Sequence, residues 1–340
     1  MQNIMKEAII HPGPRVELIE SPIPRPGPSQ VLIQVIYSGS NPKDWKVPEL
    51  LNRPLNEGDD IAGIVEEVGA QVHEFKKGNR VAGFHAMSTP GGSYAEYAIA
   101  EAHTTFHLPE KTSFEEAATI PLAAMTAAIG MYAKLNLPEP WKKPSKGFVG
   151  TPLLVYGGAT AVGAFTIKLA RKSGIHPIIA VAGRGAPFVE SLLDSGKGDT
   201  VIDYREGDAS VVEEVKRALG GRKLLYAFDA VSERSSFDNI LEVLEPEGKV
   251  TYVLPKNGVD KAPFDGDTGF TNVGVAHGKL SDFAYLWFKY MAKGLQDGWF
   301  SGHPLEVVPG GLNGLESALK DLKAGKASAV KYVFKIEETQ

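Results

Sequence analysis

The period of hydrophobic and polar positions changes along this 340-residue chain. Residues 1–124 contain short apolar runs, several of them alternating, which are separated by proline, glycine and asparagine; KEAIIH, VLIQVIY, IAGIVEEVG and RVAGF are examples. Runs of this kind predict strands rather than helices. We therefore expect a compact β-barrel-like domain in this region rather than a regular sandwich.

A helical pattern begins near Ser113, in the segment SFEEAATIPLAAMTAAIGMYAKLN. Ser113 and Glu116 have the spacing of a capping box, in which each side chain accepts a hydrogen bond from the other residue's backbone N–H. Pro121 lacks the N–H that a helix interior needs. The segment therefore predicts two helices rather than one.

From Leu153 onwards, continuous apolar runs alternate with amphipathic helical segments. The predicted strands are LLVY, PIIAVA, TVID, LYAFDAV, KVTYVL and NVGVA. This alternation is typical of a parallel sheet covered by helices on both faces. The sequence therefore predicts an α/β protein with a six-stranded parallel Rossmann domain over residues 125–276. Two later helices and the strand AVKYVFKI exceed that unit, so we expect residues 277–340 to return to the domain formed by residues 1–124.

Composition narrows the function classes. Apolar residues make up 43% and charged residues 23% of the chain, which is typical of a soluble globular protein. A net charge of −5 argues against nucleic acid or an anionic membrane as partner. The chain has no cysteine, which excludes disulfides, thiolate nucleophiles and cysteine-based zinc sites. No secretion signal or long apolar stretch is present, so we expect a cytoplasmic protein.

The stretch LLVYGGATAVGAF reads as a strand, a glycine turn and a helix. Its pattern, Gly158-x-Thr160-x-x-Gly163, departs from G-x-G-x-x-G at the middle position. Gly158 is expected to permit the tight turn and Gly163 to let the helix approach the sheet, so that helix N–H groups face a pyrophosphate. A turn needed only for packing is the alternative, but the place at the first strand–helix junction favours a dinucleotide site. The cofactor-binding residues predicted here are Gly158, Ala159, Thr160, Ala161 and Val162.

The end of the second predicted strand indicates which dinucleotide is bound. An NAD site usually has an acid there for the ribose 2′-hydroxyl, whereas IIAVAGRGAP offers Gly183 and Arg184. An arginine pairs with a 2′-phosphate and can stack on adenine. We therefore predict NADPH, with Tyr204 closing over the adenosine from the next strand. The alternatives are a solvated loop arginine and an ordinary edge tyrosine.

Several motifs together resemble the medium-chain dehydrogenase/reductase superfamily. GSNPKDWK, GDDIAGIVEEVG, GNRVAGF, GGSYAEYAI, TIPLAAMTA and VYGGATAVG occur in that superfamily's order. The chain is most similar to the zinc-free quinone oxidoreductase branch. The insertion LNLPEPWKKPSKGFVGTP and NPKDWK resemble fungal members, including trans-acting enoyl reductases that serve polyketide synthases. The resemblance implies a GroES-like β-barrel catalytic domain alongside the Rossmann domain.

The same resemblance implies that no metal is bound. In the zinc alcohol dehydrogenases of the superfamily, a cysteine stands at the position of Asn41 and a GHE motif stands where this chain has GDD, Gly58 to Asp60. Asn41, Asp59 and Asp60 do not supply a cysteine–histidine zinc set. Four further histidines show no ligand spacing, and we expect them in loops and at the surface: His73, His85, His103 and His107.

The resemblance also implies the site residues. The catalytic candidates are Lys46, Thr126 and Asn41: Lys46 for the cofactor or the substrate carbonyl, Thr126 for an enolate or the nicotinamide amide, and Asn41 for a water or carbonyl. Further cofactor contacts are implied for Lys43, Asp44, Trp45, Lys46, Thr126, Val231, Leu254, Pro255 and Lys331. Alternatives remain, because Asp44 can simply pair with a lysine, Trp45 can pack in a core, and Thr126 can bond within its helix.

These expectations together describe a reductase. Without a Lewis acid, a conjugated C=C–C=O group is an easier hydride acceptor than an alcohol–ketone pair. We expect NADPH-dependent reduction of an enone, enoyl thioester or quinone, and the alternatives are a trans-acting partner of a polyketide synthase carrier domain or an NADPH-binding protein with little catalysis. A monomer or a homodimer is expected.

Overall fold

The computed structural model describes residues 4–142, 148, 150–254 and 267–340. Part of the insertion after Leu135, residues 143–147 and 149, lies outside the described residues, as does Pro255. The chain divides into two compact units. The first unit comprises Met1–Met125 with Gly274–Gln340, and the second comprises Thr126–Val273.

The first unit opens with strands, as the alternating pattern predicts. Its elements up to the helical segment are β1 (Ile4–His11), β2 (Arg15–Pro22), β3 (Gln30–Gly39), α1 (Lys43–Leu51), β4 (Asp60–Val68), β5 (Arg80–Phe84), β6 (Tyr97–Glu101), β7 (Thr105–His107), α2 (Phe114–Ala117) and α3 (Pro121–Ala128).

The two predicted helices around Pro121 are confirmed, and Pro121 is the first residue of α3. The Ser113 side chain caps α2 by accepting from Glu116 N at 3.3 Å. Glu116 Oε1 instead accepts from Gly302 N at 2.9 Å, so its side chain is used to hold the C-terminal segment. After α3 the helix widens into a π-helical turn, Ile129–Lys134.

The second unit contains the alternating strands and helices. Its elements are β8 (Leu153–Tyr156), α4 (Ala161–Lys172), β9 (Ile178–Ala182), α5 (Ala186–Leu192), β10 (Thr200–Asp203), α6 (Asp208–Leu219), β11 (Tyr226–Asp229), α7 (Arg234–Leu241), β12 (Lys249–Tyr252) and β13 (Asp267–Phe270). Over the described residues six parallel strands pair in the order β10-β9-β8-β11-β12-β13. This is the strand order of a Rossmann sheet, so the predicted fold class is confirmed.

The sixth strand is not the predicted one. NVGVA was expected as a strand, but Val273–His277 forms a 3-10 helix and the sheet ends with Asp267–Phe270. The prediction is wrong because it relied on an apolar run. The strand that pairs with Lys249–Tyr252 has the sequence DTGF, whose polar residues give no such signal.

The chain then returns to the first unit. The returning elements are α8 (Ser281–Asp297), β14 (Leu305–Val308), α9 (Leu315–Lys323) and β15 (Lys331–Lys335). Strand β15 pairs antiparallel with β3, so the C-terminal segment lies in the same sheet as the N-terminal strands. The order of this sheet is β14-β15-β3-β4-β5-β7, with β6 on β3. Over the described residues, no helix is both long and apolar enough to cross a membrane.

Candidate active site

The loop and helix after β3 are anchored by a buried lysine. Lys43 Nζ lies 2.6 Å from Asp59 Oδ2 and 2.8 Å from Glu57 Oε2, and it donates to Glu57 O at 2.7 Å. Asp44 Oδ1 is 3.5 Å away. The three carboxylates are at most 1% exposed, so the ammonium supplies charge compensation that water cannot. We call Lys43, Asp44, Glu57 and Asp59 the Lys43 cluster.

The Lys43 cluster contains more negative than positive charge. Burial raises the pKa of Asp44 and of Asp59 to about 7, although Lys43 acts in the opposite direction on both. Burial alone would lower the pKa of Lys43, but Asp59, Asp44 and Glu57 together raise it above its usual value. Asp44 Oδ2 also accepts from Asn41 N at 2.7 Å and from the Tyr94 hydroxyl at 2.6 Å. The start of α1 is thereby held from two sides.

A second buried lysine comes from the first residue of β15. Lys331 Nζ lies 2.5 Å from Asp60 Oδ2 and donates to Asn41 Oδ1 at 3.1 Å. Asn41 Nδ2 donates to the same Asp60 oxygen at 2.8 Å, and the other Asp60 oxygen accepts from Leu122 N at 2.6 Å. We call Asn41, Asp60 and Lys331 the Lys331 cluster. Its side chains satisfy one another, so Asn41 and Lys331 are held in place by contacts within the first unit.

Helix α1 also carries Trp45 and Lys46, the last two residues of the motif NPKDWK. Lys46 Nζ lies 5.4 Å from the centre of the Trp45 ring, and Lys323 Nζ lies 5.2 Å from it. Trp45 is half-buried and packs against the core of the first unit, as the packing alternative expected. Lys46 is half-buried as well, and Thr126 is buried on α3.

The glycine turn between β8 and α4 has the shape of an anion site. Gly157, the residue before Gly158, adopts the left-handed backbone, with φ +81°. The Thr160 hydroxyl caps α4 by accepting from Gly163 N at 3.0 Å, and a Cβ on Gly163 would overlap Gly157 O. Among the described residues, the N–H groups of Ala159, Ala161 and Val162 have no hydrogen-bond partner. They can therefore bind a pyrophosphate.

Gly183, Arg184 and Tyr204 are brought close together at the ends of β9 and β10. A Cβ on Gly183 would lie 2.6 Å from Tyr204 Cε1, so the ring packs directly on the glycine. Arg184 is exposed beside it, and Tyr204 is 50% exposed. The nearby acid Asp203 accepts from Arg205 Nε at 2.9 Å, and this bond lowers the pKa of Asp203 to about 2. The ends of β9 and β10 therefore present the exposed Arg184 beside an ion pair between Asp203 and Arg205.

The turn after β11 is held by Asp229. Its Oδ1 accepts from Val231 N and Ser232 N at 3.0 and 2.8 Å, and burial raises its pKa. Val231 packs against the glycine turn, because a Cβ on Gly157 would lie 2.5 Å from Val231 Cγ2. Ser232 Oγ accepts from Val253 N at 2.8 Å, which ties the turn to the residue before Leu254. Leu254 is half-buried, and Pro255 lies outside the described residues.

From the sequence, one buried histidine was placed wrongly and three other buried or partly buried residues were not identified. His85 was expected in a loop or at the surface but is 1% exposed, because its Nδ1 bonds Ile99 O at 2.7 Å, and burial lowers its pKa. Glu57 and Tyr94 were not singled out, although both stand next to or inside quoted motifs. His277, at the end of the 3-10 helix, was also missed; burial lowers its pKa to about 4.

The chain matches known families over both units. The alcohol dehydrogenase GroES-like domain family matches residues 27–110, and the family described as zinc-binding dehydrogenase matches residues 161–277. A trans-enoyl reductase from Gibberella fujikuroi, fsr4, is 49% identical over 91% of this chain and 92% of its own. The trans-enoyl reductase resD from Aspergillus sclerotiorum is 30% identical over 99% and 100%.

Solved structures share the fold at lower identity. A putative zinc-dependent alcohol dehydrogenase from Rhizobium etli superposes with a TM-score of 0.84 at 23% identity, covering 98% of this chain and 99% of that one. The enoyl reductase CurK superposes with a TM-score of 0.77 at 21% identity, with the same coverage of both chains. These similarities confirm the predicted combination of a GroES-like domain and a Rossmann sheet.

The zinc in one family description does not fit the residues of this chain. Lys331 Nζ already binds both Asn41 and Asp60, and Lys43 Nζ binds Asp59. Within residues 4–142, 148, 150–254 and 267–340, no group of three or more histidine or acidic side chains is placed to hold a metal ion.

Fold, motif order and near-full-length similarity agree. The match to fsr4 extends over 91% of this chain, which is more than either unit contains by itself. The chain is therefore an oxidoreductase that belongs to the trans-enoyl reductase family of the medium-chain dehydrogenase/reductase superfamily.

Proposed function

We propose that this protein uses NADPH to reduce the C=C bond of an α,β-unsaturated thioester that a polyketide synthase carries. The observation that carries the proposal is the 49% identity, over 91% of the chain, to a relative named a trans-enoyl reductase. The expected location is the cytosol, and a monomer or a homodimer is compatible with the proposal.

The choice of NADPH over NADH rests on the ends of β9 and β10. Arg184 is exposed beside Gly183, where NAD-binding proteins usually present an acid to the ribose 2′-hydroxyl. The acid at the end of the neighbouring strand, Asp203, is held by Arg205. Arg184 would therefore pair with a 2′-phosphate, and the paired Asp203 would repel that phosphate little. The Tyr204 ring lies beside this position.

The pyrophosphate would bind at the N-terminus of α4. Ala159, Ala161 and Val162 offer N–H groups there, and the helix dipole favours an anion. Gly158 N–H is used within the sheet, since it donates to Val181 O at 2.9 Å. In this proposal Gly158 and Thr160 shape the turn, whereas the N–H groups of Ala159, Ala161 and Val162 bind the pyrophosphate.

The chemistry requires charge stabilisation at the substrate carbonyl. NADPH supplies the hydride that the β-carbon receives. As negative charge develops on the carbonyl oxygen, a hydrogen-bond donor stabilises it, and the proposed donors are Lys46 or the Thr126 hydroxyl. The α-carbon then takes a proton, from water or a side chain. In this proposal Asn41, Lys43, Asp44 and Lys331 act by positioning these donors, because their own polar atoms have buried partners in the first unit.

The proposal is tested by NADPH oxidation with the purified protein and a substrate panel. The panel contains enoyl thioesters on a carrier domain, the same acyl groups on a small thiol, simple enones and quinones. We expect turnover of the thioesters, fastest on the carrier domain, with NADPH preferred to NADH. Turnover confined to quinones, or NADPH binding without turnover of any member, would refute the proposed substrate class.

A further inference from the structure

Lys331 binds two residues that stand at zinc-motif positions in the resemblance described above. Asn41 and Asp60 stand where the resemblance puts a cysteine and part of a GHE motif, and both bind Lys331 Nζ. All three side chains are buried, at 4%, 0% and 4% exposed for Asn41, Asp60 and Lys331. A positive charge is thus present at this position, but it belongs to the chain itself.

The Lys331 cluster joins four segments that are far apart in sequence. Asn41 comes from the loop after β3, Asp60 begins β4 and Lys331 begins β15. The fourth segment is the link between α2 and α3, where Lys331 Nζ lies 3.4 Å from Thr119 O and Asp60 accepts from Leu122 N. Two of these segments lead directly into α1 and α3, the helices that carry Lys46 and Thr126.

Asp60 caps α3 from outside the helix. Leu122 is its second residue, and its N–H lies 2.6 Å from Asp60 Oδ1. A carboxylate at this end interacts favourably with the helix dipole, but a buried carboxylate also requires a partner of opposite charge. The Lys331 ammonium provides the required counter-charge, 2.5 Å from the other oxygen of the same group.

The space around Lys331 leaves little freedom for another arrangement. A Cβ on Gly39 would lie 3.1 Å from Lys331 Cε, and it would overlap Ala118 O. The backbone of Lys331 is fixed too, because its N–H donates to Pro304 O at 2.8 Å. The ammonium therefore reaches Asp60 and Asn41 in one defined position, as a bound ion would.

We propose that the Lys331 ammonium is a built-in structural cation, and that it positions α1 and α3 through Asn41 and Asp60. Lys331 is thus a positioning residue. Its effect on turnover rests on the proposed function, but its effect on the stability of the first unit does not.

The absence of cysteine from the sequence allows a direct test of the charge. In Lys331→Cys the new thiol is unique, so it can be alkylated in denaturant before refolding. With 2-bromoethylamine the thiolate sulfur bonds to carbon, bromide leaves and the thiol proton goes to solvent, which yields a side chain of lysine length ending in an ammonium. Iodoacetamide gives a neutral side chain of similar length as the matched control.

The thermal midpoint is the first readout. We expect the aminoethyl adduct to approach the wild-type midpoint, and the neutral adduct to lie roughly 5–15 °C lower, because a buried carboxylate is left unpaired. Equal midpoints for the two adducts would overturn the proposal. If refolding fails for both, Lys331→Met and Lys331→Met/Asp60→Asn are compared without alkylation. Removing the carboxylate should then raise the midpoint, and a midpoint unchanged or lower would also overturn the proposal.

Turnover of the enoyl thioester is the second readout. We expect the aminoethyl adduct to regain most of the wild-type kcat and the neutral adduct to lose roughly 10-fold or more, with NADPH affinity within about 3-fold for both. If the aminoethyl adduct regained the wild-type thermal midpoint but not the wild-type kcat, the proposal that Lys331 positions α1 and α3 would be overturned. If the wild-type protein reduces no thioester, the proposed function fails, but the thermal comparison still decides whether Lys331 is a structural cation.

Discussion

Lys43 Nζ lies 2.6 Å from Asp59 Oδ2, and the Asp59 side chain is completely buried. Lys43 is the second residue of the motif PKDWK, and Asp59 is the middle residue of GDD. The pair therefore connects the loop after β3 with the strand that follows it. Around this pair, the Lys43 cluster has one ammonium for three carboxylates, and this imbalance makes the first unit sensitive to pH and to substitution.

The first prediction concerns stability against pH. The pKa of Asp59 is about 7 in the folded protein and 3.8 for an unperturbed group. Between these values the folded chain binds more protons than the unfolded chain, so the Asp59 contribution destabilises the fold progressively as pH rises. Asp59→Asn should therefore gain stability relative to wild type across this window, by at most about 1.4 kcal/mol per pH unit. Urea unfolding at a series of pH values measures it.

Asp203→Asn is the matched control for this measurement. Asp203 has a folded pKa of about 2, so it titrates below the window in the folded state. Its variant should change the pH dependence of stability only below the unperturbed value of 3.8. If the free energy of unfolding changed its pH dependence in the same way between pH 3.8 and 7 in both variants, the effect could not be assigned to Asp59.

The second prediction concerns Lys43 itself. Lys43→Met leaves Glu57 and Asp59 buried without their shared cation, which should lower the free energy of unfolding by about 3–5 kcal/mol. Lys77→Met provides the comparison, because Lys77 pairs with Glu66 at an exposed position and should matter little. Chemical unfolding of both variants at neutral pH measures the difference, and similar losses would argue against a special requirement for the buried charge.

The third prediction concerns the cofactor. Arg184→Asp should weaken NADPH binding by roughly 10- to 100-fold, because a charge-assisted bond to the 2′-phosphate is replaced by repulsion. NADH binding should change far less. Arg217→Asp makes the same charge change on α6, where Arg217 pairs with Glu214, and should leave both affinities near wild type. Titration calorimetry would refute the assignment if Arg184→Asp weakened NADPH and NADH equally.

The fourth prediction concerns the charge-stabilising donors. Thr126→Val and Lys46→Met should each lower kcat for thioester reduction by roughly 100-fold, because each removes a hydrogen-bond donor from the developing oxyanion. Affinity for NADPH should fall less than kcat. Lys323→Met is the control for Lys46, since Lys323 Nζ lies at a similar distance from the Trp45 ring. A wild-type kcat in the Lys46 variant would show that Lys46 does not stabilise the developing oxyanion.

Much of the second unit could be predicted from local pattern. The strand bounds LLVY and TVID agree with the structure. LLVY is completely buried, as expected for an apolar run in a parallel sheet covered on both faces. The glycine turn was found from spacing alone, but spacing did not show that Gly157 has the left-handed backbone or that Val231 packs beside it. Asp267–Phe270 was missed, because an edge strand of polar sequence carries no periodic signal.

The sequence by itself determined the α/β alternation, the lack of cysteine ligands and the missing acid after β9, because each depends on residues adjacent in the chain. Only the tertiary structure decided what Asn41 and Lys331 do. They stand 290 positions apart, and antiparallel pairing of β15 with β3 brings them to 3.1 Å. Lys43 and Lys331 form ion pairs with four buried acids only in the folded sheet, because burying these charges without their partners is energetically costly.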